Sequence, residues 1–127
     1  AELMSAIVDH GLGDHVCLIG EHDAPERILA AGDVIAVSSR TESFGLALIE
    51  GMLCGLSPAS TAVGVAPDLL EGNRLAAPGD AAALAVALGV AASTKGPNYR
   101  SVAMAYSLER MHARYLAMYR LQSRTVS

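Results

Sequence analysis

Two carboxylates, Glu42 and Glu50, stand eight residues apart around a Ser43-Phe44-Gly45 turn and the apolar run Leu46-Ala47-Leu48-Ile49. A carboxylate is an acceptor for hydroxyl protons. A small, flexible turn that runs into a helix presents unpaired backbone N–H groups and the positive end of the helix dipole. Together these groups suit a ligand that is both rich in hydroxyls and negatively charged. Just upstream, Asp33-Val34-Ile35-Ala36-Val37-Ser38-Ser39 reads as a buried strand ending in hydroxyl side chains.

The remaining reactive side chains form no comparable pattern. His10, His15, His22 and His112 show no metal-ligand spacing, so no metal is expected. Gly11-Leu12-Gly13 lacks the third glycine of a dinucleotide fingerprint and follows a helix, where Gly11 serves better as a C-cap. Cys17 and Cys54 are isolated thiols in apolar runs, expected to be buried and reduced, which favours a cytoplasmic address.

The elements that must position the carboxylates follow from pattern and punctuation. Leu3, Met4, Ile7 and Val8 recur at helical spacing, and His15-Val16-Cys17-Leu18-Ile19 is a β-prone run ending at Gly20. Asp23 or Ala24 can cap a helix with Pro25 in its first turn, stopped by Gly32. The strand at 33–38 comes next, then a helix from about Phe44 to Cys54. Ser57-Pro58-Ala59-Ser60-Thr61 predicts a weak strand, short or starting after Pro58, because proline removes a ladder donor. A short helix at Pro67–Glu71 ends at Gly72, and an extended piece follows at Leu75–Ala77. Asp80 then caps an almost wholly apolar helix, Ala81–Ala92, expected to be well buried. Two helices close the chain, at about 98–106 and 107–122. The second is capped by Ser107, with Leu108, Met111, Tyr115, Met118 and Tyr119 as its packing stripe. Strands alternating with helices over short links describe a parallel sheet with helices on its faces, whose ligands sit at the carboxyl ends of the strands.

Composition agrees with one globular α/β domain or part of one. The 127 residues are 52% hydrophobic and 17% charged, with 4% aromatic, so small aliphatic side chains do the packing. No apolar run reaches the roughly 18 residues of a membrane span, and Ala1-Glu2-Leu3-Met4 does not read as a signal peptide. A net charge of −4 gives no case for nucleic acid. The charge is uneven: residues 1–94 hold three basic and twelve acidic side chains, whereas 95–127 hold six basic and one acidic. Arg110 and Arg114, and Arg120 and Arg124, are spaced to share helix faces. Those faces admit three readings: a solvated surface, contact with a partner domain, or contact with an anionic membrane surface.

The segment Ser39-Arg40-Thr41-Glu42-Ser43-Phe44-Gly45-Leu46-Ala47-Leu48-Ile49-Glu50-Gly51-Met52-Leu53-Cys54-Gly55 resembles the Glu-x7-Glu signature of the retaining GT-B glycosyltransferases of family 4, group 1. Val16–Gly20, Thr61, Val63-Gly64, Pro67-Asp68-Leu69, Pro78-Gly79-Asp80 and the closing helix through Tyr119-Arg120 are similar to the rest of that family's C-terminal domain, so the resemblance covers nearly the whole chain. It implies a Rossmann-like α/β fold, with residues 1–127 forming one partial donor-binding domain. Sugar would pass from a UDP- or GDP-sugar to an acceptor with retention, without cofactor or metal. By the same resemblance, Glu42 is the catalytic-site acid that contacts donor-sugar hydroxyls. Ser43, Phe44, Gly45 and Leu46 hold sugar and phosphate, Glu50 holds the ribose, and Glu21 and His22 fall where the base is contacted.

The family's first strands, its upstream Arg/Lys pair and its N-terminal acceptor domain have no counterpart in these residues. A fragment inactive by itself is the expectation, and the acceptor domain would be its partner. The expected location is the cytoplasm, free or peripheral at the inner membrane face. Ala62 and Val65 stand where an acid and a second glycine are common in the family. A non-catalytic nucleotide-binding module of the same fold, or a GT-B epimerase or phosphorylase, are the alternatives.

Overall fold

The computed structural model describes residues 2–94 and 96–122. The chain order is α1 (Glu2–Asp9), α2 (Pro25–Leu29), β1 (Val34–Val37), α3 (Leu46–Leu53), β2 (Ser57–Thr61), α4 (Ala66–Leu69), a 3-10 turn (Gly72–Arg74) and β3 (Leu75–Ala76). Then come α5 (Ala81–Ser93), α6 (Tyr99–Ala103), a second 3-10 turn (Met104–Tyr106) and α7 (Leu108–Gln122). The three strands form one parallel sheet in the order β1-β2-β3, as the alternation of elements predicts.

The main core lies on one face of the sheet. Leu48, Ile49 and Met52 of α3 pack there with Val37, Leu69, Leu70 and, from α6, Tyr99 and Ala103. The other face is covered by α5 through Ala87 and Ala91, which close on Ala59. Burying methyl and methylene groups at roughly 0.8 kcal/mol per CH2 makes the larger face the chief source of stability. The caps expected at Asp80 and Ser107 are present: Ala83 donates its backbone N–H to Asp80 Oδ1 at 2.9 Å and Arg110 to Ser107 Oγ at 3.4 Å. Asn98 caps α6 in the same way, accepting from Ser101 N–H at 3.1 Å.

Several expectations are corrected. The run His15–Ile19 forms no strand: its residues are exposed, and among the described residues no strand lies beside it. Strand preference is realised only against a neighbouring ladder, and here none is supplied. Cys17, in that run, is therefore an exposed free thiol rather than a buried one, while Cys54 is half-buried and also free. The helix α5 is less buried than its apolar sequence suggested. It lies alone on its face of the sheet, so Val86 on its far side is 63% exposed. The packing stripe expected of α7 is also exposed, with Leu108 at 70% and Tyr119 at 68%, because α7 touches little besides the 3-10 turn before it. Arg124 lies outside the described residues, as does Lys95.

The largest departure concerns Pro58. It sits inside the central strand, opposite Ile35, instead of preceding a shortened one. In a parallel strand successive residues turn their backbone polar groups to opposite neighbours. Ser57 donates to Asp33 O on the β1 side, so Pro58 faces the β3 side. At that level β3 has not begun, since it pairs only with Ser60 and Thr61. The guanidinium of Arg74 fills the place and donates to Pro58 O at 3.1 Å. A donor needs no N–H opposite it, so the proline costs the sheet nothing there.

Candidate functional site

The carboxyl ends of β1 and β2 carry the site. From Val37 the chain leaves the sheet through Ser38, Ser39, Arg40 and Thr41, reaches Glu42 and enters α3 after Gly45. Gly45 has φ 96° and ψ 52°, a left-handed conformation that a side chain would oppose, and it places no side-chain cap on the helix. Among the described residues, the backbone N–H groups of Ser43, Phe44, Gly45 and Leu46 donate to no protein acceptor. These are four successive free donors at the N-terminal end of an eight-residue helix, where its dipole is positive.

The loop is fixed from both sides by residues of β2 and the turn after it. Thr61 Oγ1 donates to Ser39 O at 2.6 Å and lies 3.4 Å from Val37 O. Ser39 Oγ donates to Glu42 Oε1 at 2.7 Å. On the other side Val65 donates its N–H to Phe44 O at 2.8 Å. Gly64 makes that approach possible: a Cβ on it would lie 2.4 Å from Phe44 O and 3.1 Å from Glu42 Cβ. None of Ser39, Thr61 and Gly64 stood out as a site residue in the sequence, although the hydroxyls at the end of the predicted strand were the available signal.

The structure treats the two signature carboxylates differently. Glu42 is exposed and tied to Ser39, whereas Glu50, a helical residue with its polar end in solvent, lines a cavity of about 220 Å3 with Pro25, Glu26, Leu29, Leu53 and Cys54, where α2 faces α3. Glu21 and His22 lie in the exposed segment before α2. His22 Nδ1 accepts the N–H of Ala24 at 3.0 Å, a local turn contact, and no hydrogen bond among the described residues joins Glu21 to the loop. The side chains of Phe44 and Leu46 turn outward into an apolar groove of about 730 Å3, which they share with Tyr106, Leu108, Met111 and Tyr115. The Phe44 and Tyr106 rings lie 5.9 Å apart, tilted by 57°.

Chemically, the loop offers a fixed carboxylate beside a row of uncommitted N–H donors, and a second carboxylate stands one to two helical turns further on. The loop can accept hydroxyl protons at Glu42 and an anion at its N–H groups, whereas Glu50 borders a separate cavity that shares no lining residue with the loop. Among the described residues no group of three or more His, Cys, Asp or Glu side chains is placed to hold a metal ion. No described helix is long and apolar enough to cross a membrane.

Residues 1–93 match the family model of the glycosyl transferases group 1. The chain is 38% identical over 58 residues to the N-acetyl-alpha-D-glucosaminyl L-malate synthase of Bacillus anthracis, covering 46% of this chain and 15% of that protein. It is 39% identical over 66 residues to one component of the Homo sapiens phosphatidylinositol N-acetylglucosaminyltransferase, covering 50% of this chain and 14% of the relative. Among solved structures, the sucrose-phosphate synthase of Thermosynechococcus elongatus superposes with a TM-score of 0.79 at 29% identity, over 97% of this chain and 34% of that one. The chain thus spans about a seventh of the length of these curated relatives and a third of the solved structure.

Proposed function

Since the chain belongs to the glycosyl transferases group 1 and has the GT-B-type parallel sheet with flanking helices, we propose that it is the donor-binding part of a retaining transferase that uses a nucleotide sugar. The observation that carries this reading is the row of unpaired N–H groups from Ser43 to Leu46, bounded by the anchored carboxylate of Glu42. A nucleotide sugar presents hydroxyls, a diphosphate and a ribose diol in series. Glu42 accepts from the sugar hydroxyls, the N–H groups of Ser43, Phe44, Gly45 and Leu46 receive sugar and phosphate oxygens, and Glu50 accepts from the ribose. Glu21 and His22 are assigned to the base.

Rate enhancement in this scheme comes from placement and charge. As the glycosidic bond to the diphosphate breaks, negative charge grows on the leaving oxygen. Fixed N–H donors and the dipole of α3 stabilise that charge without having to reorganise. Glu42 holds the ring in the reactive orientation, which is an entropic contribution. No metal or cofactor is assigned a part. Acceptor recognition is placed outside this chain, in the remainder of a longer enzyme, and the exposed apolar face of α7 beside Phe44 and Leu46 is offered as the surface on which that remainder packs.

Both curated relatives are named for N-acetylglucosaminyl chemistry, so nucleotide sugars bearing N-acetylglucosamine are the first donors to test. Calorimetry on the full-length protein with UDP, GDP and their sugars tests the reading. Binding that Glu50→Ala weakens supports it; absence of affinity for any nucleotide favours a non-catalytic module of the same fold.

A further inference from the structure

We propose that Thr61 and Ser39 are positioning residues for Glu42, a two-bond relay from the central strand that aims its carboxylate at the donor sugar. The inference rests on the reading of Glu42 given above. Thr61 is 2% exposed and stands at the end of β2, one residue past the last ladder pair with β1, Val37 opposite Ser60. A threonine hydroxyl has one proton, and the 2.6 Å contact to Ser39 O claims it. That bond extends the grip of the sheet on the chain beyond the ladder, into an otherwise exposed turn. Ser39 Oγ then spends its own proton on Glu42 Oε1 at 2.7 Å, the short distance of a charge-assisted bond.

The chemical consequence is a division of labour within one carboxylate. Oε1 is occupied by Ser39, leaving Oε2 with its lone pairs for a ligand hydroxyl. An exposed glutamate with no such tether samples several rotamers, and fixing it at the moment of reaction would oppose catalysis by its side-chain entropy. Here that ordering is done in the folded protein, by a side chain that never touches the ligand.

The test uses the full-length protein with Ser39→Ala, Thr61→Val, Thr61→Ser, Glu42→Ala and the two doubles Ser39→Ala/Glu42→Ala and Thr61→Val/Glu42→Ala. Ser39→Ala and Thr61→Val should each lower kcat about tenfold, the loss of one positioning hydrogen bond, with little change in donor KM. Thr61→Ser, which keeps the hydroxyl, should restore turnover. In the Glu42→Ala background both substitutions should have no further effect on kcat, since the group they aim is gone. Losses that persist in that background, or single variants with wild-type kcat while Glu42→Ala is crippled, overturn the relay alone. Glu42→Ala with wild-type turnover overturns the reading of Glu42 and the relay with it. Should Thr61→Val fail to fold, half-buried Ser39 carries the same test.

Discussion

Glu42 and Glu50 carry the same charge on one short segment, yet they stand in different surroundings. Glu42 is tethered through Ser39 beside the free N–H row, while Glu50 borders the cavity between α2 and α3. Glu42→Ala is therefore expected to lower kcat by about a hundredfold, the upper range for a hydrogen bond to a charged group. Glu50→Ala should instead raise the Kd for the nucleotide by about tenfold, with a smaller effect on kcat. Steady-state kinetics and calorimetry separate the two. Gly64→Ala should push Phe44 away, because its Cβ would stand 2.4 Å from the Phe44 carbonyl oxygen. The expected result is a loss of about 1–3 kcal/mol in chemical unfolding together with impaired turnover. Residues 42–50 were legible in the sequence because their chemistry and their helix lie in one contiguous run. The roles of Ser39, Thr61 and Gly64 were not, because they depend on β2 and the turn after it reaching back to the loop. The Thr61–Ser39 contact spans 22 residues of chain and exists only once the strands have paired.

At the scale of elements, Arg74 links the N-terminal end of β2 to the far end of α5 and to α6. It is 6% exposed, and it donates to Ser57 Oγ, Pro58 O, Thr94 O and Thr94 Oγ1 at 2.9–3.1 Å, with its guanidinium 5.1 Å from the Tyr99 ring centroid. Arg74→Ala strips a donor from the buried Pro58 carbonyl and from three part-buried acceptors and leaves a void, so a loss of about 3 kcal/mol is expected from the denaturation midpoint. The same residue explains why the β2 strand was underestimated. A proline inside a central strand reads as an interruption unless a side chain 16 positions later is known to stand in for the absent neighbour. The error at 15–19 is the converse, a strand preference with no ladder to join. The starts of α5 and α7 are easier to read, since Asp80 and Ser107 cap locally. At α7 the carboxyl of Glu109 is held below its ordinary value of 4.5 by a hydrogen bond to its own backbone N–H and a second to Ser107. A depressed carboxyl stabilises the folded form above its unfolded value, and that contribution disappears as the pH falls through the folded one. Helicity of α7, followed by circular dichroism, should accordingly decline on acidification below about 4.5, and Glu109→Gln should remove that dependence.

At the scale of the molecule, apolar side chains remain uncovered on both terminal helices as well as on α5 and in the 15–19 run. Leu3, Met4 and Val8 of α1 face outward, as do Leu108, Met111, Tyr115 and Met118 of α7. Contiguous exposed apolar surface marks an interface in a protein that stays in solution. The 127-residue chain made by itself should self-associate in light scattering, and Tyr115→Ser with Met118→Ser should reduce that tendency. In the full-length protein the same pair should lower the melting temperature if protein covers the face, and weaken sedimentation with anionic phospholipid vesicles if a membrane does. The parallel sheet and its flanking helices were visible from the alternation of elements alone, whereas the lack of cover over α5 and α7 was not, because an apolar sequence states a need for burial without naming what supplies it. Whether the N–H groups of residues 43–46 hold the donor diphosphate is decided by a crystal structure of the full-length protein with UDP or GDP. Phosphate oxygens are expected within hydrogen-bond distance of those N–H groups, with Glu50 on the ribose. A diphosphate bound elsewhere, with the 43–46 amides facing only solvent, would contradict that expectation.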